Sequence, residues 1–168
     1  MTTEMMINEL TTAIEAMDPE ILGAAVLGIF AIFAVSVIFG VIRYLLTAIG
    51  YSKMYRKADI APWKAFIPVY NTYNNYKLSW NREMFTLSVV LYIVLNSLGG
   101  AETLIPQLAA AATGITLIVV TVKQNIKMAK LFGKGKGTGI ALIFFPGITS
   151  LILGLGKAEF QGEKAEND

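Results

Sequence analysis

The sequence contains no cysteine and no histidine. Disulfides, thiol catalysis, Cys or His metal ligation and any Ser-His or Cys-His dyad are excluded by those two absences. Charge is also scarce. Charged residues make up 15% and hydrophobic residues 55%, whereas a soluble domain carries roughly 25% charge and 45–50% apolar residues. The shortage is uneven, because long stretches hold no charge at all. That pattern points to an all-α integral membrane protein. The 168 residues have room for about four spans with short connections, and none for a separate soluble catalytic domain.

Four apolar runs follow one another. Ile21 to Ile42 is free of charge and closes at Arg43, long enough at about 1.5 Å per residue to cross a ~30 Å hydrocarbon core. The tail before it has no Lys or Arg, so it does not read as a secretory signal. A second run, 84–98, ends at Gly99-Gly100 and is short enough to be re-entrant or matched to a thin bilayer. A third, 104–122, has Pro106 in its first turn, where a missing N–H costs nothing. The fourth, 138–156, has Pro146-Gly147 in its middle and is expected to be a kinked span.

Basic residues set the orientation. The tail 1–20 carries Glu4, Glu9, Glu15, Asp18 and Glu20 and no basic residue. Arg43, Lys53, Arg56, Lys57, Lys64, Lys77 and Arg82 lie in the first connection, and Lys123, Lys127, Lys130, Lys134 and Lys136 around the second. Twelve of the 14 basic residues therefore fall in two alternate connections, the positive-inside pattern of four helices. Both the acidic tail 1–20 and the acidic tail 157–168 are then expected outside. A three-span arrangement would put one acidic tail with the basic connections, and the charge balance argues for four.

The first connection is rich in aromatics. Phe66, Tyr70, Tyr73, Tyr76 and Trp80 recur at spacings of three and four, which predicts an amphipathic helix within 59–82 at the inner interface. Asp59 and Pro62 read as its start, and Pro68 as a break. Trp63, Pro68, Tyr70 and Asn71 are candidate partner or lipid contacts. In the second connection Gly133, Gly135, Gly137 and Gly139 alternate with Lys134, Lys136 and Thr138. Converging backbone amides and two lysines suit the phosphate of an anionic headgroup, and the spacing is not that of a nucleotide-binding P-loop. Asn96 is the one strongly polar side chain well inside a span, a candidate helix–helix or substrate contact. The central apolar regions hold no acid, His, Lys or Arg, which disfavours an ion or proton pathway. Ala24/Gly28, Ala110/Gly114 and Ser150/Gly154 permit close helix approach, and 109–114 is expected to make the tightest contact. Ile7, Leu10, Ile14, Met17 and Ile21 predict an amphipathic helix in the tail.

The segment Ala61-Pro62-Trp63-Lys64-Ala65-Phe66-Ile67-Pro68-Val69-Tyr70-Asn71 resembles the W-x-A-x-I-P-x-Y-N signature of a small bacterial membrane family of unknown function. Phe132-Gly133-Lys134 onward, through Gly154, Gly156 and Ala158 to Phe160-Gln161-Gly162, resembles that family's closing stretch. The resemblance covers about 39–162 and implies a helical bundle in a bacterial cytoplasmic membrane. Members sometimes carry the label signal peptidase I. That chemistry needs a serine and a base lysine on a domain outside the membrane, for which this chain has no room. The expectation is a non-enzymatic accessory, assembly or immunity-type subunit without a cofactor. Its contacts are anionic headgroups and other membrane subunits or itself, not nucleic acid. A small oligomeric transporter or channel component is the alternative.

Overall fold

The structure, a computed structural model, describes residues 3–15, 18–100 and 103–162. It is helical throughout, with no strand among those residues: α1 (Thr3–Glu15), α2 (Pro19–Lys57), a 3-10 turn (Pro62–Phe66), α3 (Pro68–Ser79), α4 (Arg82–Leu98), α5 (Leu104–Leu131), α6 (Lys136–Phe144) and α7 (Pro146–Leu155). The chain divides into two units, 1–42 and 43–168. Met17, Glu102 and the acidic residues Glu163, Glu166 and Asp168 lie outside the described residues.

In the first unit, α1 follows the spacing of Ile7 and Leu10, and α2 begins after Asp18, whose Oδ1 accepts from the Glu20 N–H at 2.9 Å. From Leu27 to Ile42 the large apolar side chains are exposed. A helix apolar on all sides belongs in a membrane or a large protein interior. Among the described residues, α2 and α5 are the helices long and apolar enough to cross a membrane. α4, at 17 residues, spans about 26 Å.

In the second unit the core gathers at one end. Tyr51, Met54 and Tyr55 of α2 meet Ala65, Met128, Ala129 and Phe132, and Leu142, Leu153 and Ala158 complete the cluster. The two basic connections converge on that end. Gln124 Nε2 donates to Ser79 Oγ at 3.3 Å, and the Lys127 ammonium sits 4.5 Å from the centre of the Trp80 ring.

Three expectations are corrected. Asp59 does not start a helix; it stops α2. It takes the left-handed conformation at φ 55°, and the Ile60 N–H then reaches back to the Tyr55 carbonyl at 2.8 Å, as in a glycine-type helix stop. Pro62 opens the 3-10 turn and Pro68 opens α3, each at a first-turn position where a missing N–H is free. The tightest contact is not at 109–114. There Gly114 has only ordinary contact with Leu95, and Ala109, Ala111 and Ala112 are exposed. A Cβ on Gly50 would fall 2.6 Å from the Leu151 nitrogen, and one on Gly154 2.6 Å from the Gly50 carbonyl oxygen. Finally, 138–156 is not one continuous helix. α6 has nine residues and α7 ten, and Phe145 between them leaves the helical region at φ −127°, ψ 57°. Pro146 has no N–H with which to continue α6.

Candidate functional site

A polar cluster lies where α2 meets α3. α2 carries Tyr55, fully buried, past the charge-free run and one residue before Arg56. α3 presents Asn71 and Asn75, four apart and so on one face. The Tyr55 hydroxyl lies 2.8 Å from the Asn71 carbonyl, 2.7 Å from Asn71 Oδ1 and 2.8 Å from Asn75 Oδ1. One proton is shared among these acceptors, and Asn75 Nδ2 donates to Asn71 Oδ1 at 3.1 Å. Ser79 Oγ donates to the Asn75 carbonyl at 2.6 Å and accepts from Gln124, which links the cluster to α5. Among the described residues no buried side-chain nitrogen or oxygen lacks a partner. Burial pushes the Tyr51 phenol up to about 12 and raises that of Tyr55 as well. Both stay protonated and neutral, fitted to donate hydrogen bonds.

The second feature is a caged ammonium. Lys57 Nζ donates to the carbonyls of Leu153 at 2.8 Å, Gly156 at 2.8 Å and Ala158 at 2.7 Å. A lysine has three N–H donors, so its capacity is used. The last carbonyls of α7 need partners and carry the negative end of the helix dipole, and Lys57 answers both. Lys57, Gly156, Lys157, Ala158, Glu159 and Phe160 line an open cleft of 610 Å³ beside it.

The candidate contacts named from sequence separate into inward and outward sets. Trp63 and Tyr70 are exposed and pack edge to face, 5.7 Å between ring centres. Pro68 is exposed at the first turn of α3. Asn71 turns inward to Tyr55, its side-chain oxygen already engaged. The aromatic stripe is split as well: Tyr73 and Tyr76 pack on Phe85 of α4. Lys134 and Lys136 are exposed. The glycines around them have separate tasks. Gly133 stops α5 at φ 65°, Gly135 precedes α6, and a Cβ on Gly139 would fall 2.5 Å from the Ile126 Cα. Asn96 is exposed, its Nδ2 donating to the Tyr92 carbonyl of its own helix at 2.7 Å. Lys57 is one of the seven basic residues of the first connection, and Ala48, Ser52 and Tyr55 mark one helix face just before it. Gln124 and Asn125, two adjacent amides just past an apolar run, are the sequence signal of this polar interior.

Both sequence motifs meet in this region, through Ala65 and Asn71 from the first and Phe132, Ala158 and Phe160 from the second. Residues 63–163 match the model of a family described as a family of unknown function, DUF5684, and the chain belongs to that family. No curated protein and no solved structure matches it.

Proposed function

We propose that this member of a family of unknown function is a non-enzymatic subunit of a bacterial cytoplasmic membrane, of accessory, assembly or immunity type. One observation carries the reading: the buried polar side chains among the described residues are satisfied among themselves, while the large apolar side chains of α2 from Leu27 to Ile42 face out. Tyr55, Asn71 and Asn75 bond one another, and Lys57 is consumed by three carbonyls. The outward side chains of α2, α5 and the Trp63–Tyr70 pair offer apolar area to lipid and to other subunits. Lys134 and Lys136, exposed on the second basic connection, suit anionic headgroups at about 1 kcal/mol each.

The test is extraction from native membranes in mild detergent followed by cross-linking. The expected result is a defined membrane protein, or a second copy, in fixed ratio, whose association falls at least tenfold in a Trp63→Ala, Tyr70→Ala variant that keeps its thermal stability. Solute flux through liposomes holding the purified chain alone, abolished by Asn96→Leu, overturns this reading in favour of a small oligomeric transporter or channel component.

A further inference from the structure

We infer that residues 134–159 form a re-entrant hairpin, dipping into the bilayer from the face of the two basic connections and returning to it. The segment after α7 then lies on that face, and residues 21–131 cross the bilayer three times. This rests on the membrane reading and goes beyond it.

Four independent observations lead there. The two ends of the segment touch: the Gln161 N–H donates to the Leu131 carbonyl at 2.7 Å, and Phe160 packs edge to face on Phe132 at 5.6 Å. Two points so close cannot lie on opposite sides of a ~30 Å hydrocarbon core. The direction of α7 agrees. A Cβ on Gly147 would meet Arg43, Leu46 and Thr47, and one on Gly154 would meet Gly50, Lys53 and Met54. α7 therefore runs parallel to the second part of α2 and arrives with it at the basic end, where Lys57 holds its last carbonyls. The lengths agree too. Nine and ten residues reach about 14–15 Å, half of the hydrocarbon thickness, and the tip residues Phe144, Phe145 and Ile148 are exposed and apolar, as side chains in acyl chains should be. Lastly, the buried residues of α5 all lie between Val120 and Ala129, and α4 has none. A fourth helix running the full thickness would cover the first half of α5; a half-length hairpin leaves it bare.

The charge pattern is simpler under this arrangement. Lys157 and Lys164 join the twelve basic residues of the two connections, so that all 14 lie on one face of the membrane. Orientation follows Lys and Arg, and acidic residues weigh little; the acidic net charge of 157–168 is no obstacle.

Single cysteines test the inference, since no native cysteine competes. In intact cells an impermeant maleimide should label Thr3→Cys and leave Lys134→Cys and Asp168→Cys unlabelled until the membrane is permeabilised. Labelling of Asp168→Cys in intact cells to the level of Thr3→Cys overturns the hairpin in favour of a fourth crossing. Labelling of all three without permeabilisation would instead sink the membrane reading on which it rests. A second measurement does not depend on sidedness. Phe132→Cys with Phe160→Cys should form an intramolecular disulfide in native membranes under mild oxidation, and a fully crossing fourth helix would keep the pair reduced.

Discussion

At the scale of single residues, the centre of the second unit depends on one phenol. Tyr55 is buried, and its hydroxyl meets the side-chain oxygens of both Asn71 and Asn75. Removing it leaves Asn75 Oδ1 facing a benzene ring, while Asn71 Oδ1 keeps the Asn75 Nδ2 donor. A buried acceptor deprived of its partner costs about 1–3 kcal/mol. Tyr55→Phe should therefore lower the stability of the purified protein in detergent by that amount, measured by thermal unfolding. Adding Asn71→Leu and Asn75→Leu to it should cost less than the sum of the separate changes, since the orphaned acceptor disappears with them. Equal loss in the single and the sum would mean that the hydroxyl does no more than fill space. Asn71 shows why a site is harder to read than a span. Its composition and motif marked it as special, but whether an asparagine on an amphipathic helix looks outward to a partner or inward to a tyrosine sixteen positions earlier depends on which face α3 buries. No local pattern states that, because both faces of α3 carry aromatics or amides.

At the scale of elements, the helices were legible wherever charge and apolar length agreed, and least legible where the chain turns on itself. The run after Ile21 and the run after Leu104 became α2 and α5. Both helices continue well past the apolar part, to Lys57 and Leu131, because Tyr51, Tyr55, Gln124 and Met128 bury one face in the core and propagation adds a bond per residue. Pro146 was legible as a kink but not as a break, since a kink and a break differ only in what packs on either side. The packing here is made by glycines of two kinds. A Cβ on Gly139 would fall 2.5 Å from the Ile126 Cα and 2.9 Å from its nitrogen, both backbone atoms of α5 that cannot swing away; Gly137, two residues earlier, faces open space. Gly139→Ala should destabilise by about 1–3 kcal/mol through overpacking. Gly137→Ala should be neutral or stabilising by up to ~0.5–1 kcal/mol through helix propensity. Thermal unfolding of the pair side by side checks the register of α6 on α5, and similar effects from both would place α6 elsewhere.

At the scale of the whole molecule, orientation is a sum over charges, and its sign depends on which charges are allowed to count. Reading the tail 157–168 by net charge put it outside with the acidic tail 1–20. Reading it by Lys157 and Lys164 alone puts it with the basic connections, where the contact of Gln161 with Leu131 also holds its neighbourhood. The two weightings part company in an experiment on charge alone. Glu163→Lys with Glu166→Lys adds two basic residues to the segment after α7. If that segment faces the cytosol, the change strengthens an asymmetry already present, and Lys134→Cys stays closed to impermeant maleimide in intact cells. If it faces outward, the added lysines oppose the two basic connections, and a fraction of molecules should insert inverted, exposing Lys134→Cys. Glu4→Lys with Glu9→Lys is the matching change on the other tail. It sets basic residues against the twelve in the connections under either weighting, within the short distance of a span over which such charges act, and should raise the labelled fraction of Lys134→Cys. Only the arrangement with a half-length α6–α7 hairpin makes the molecule respond to lysines at one of its tails and ignore them at the other.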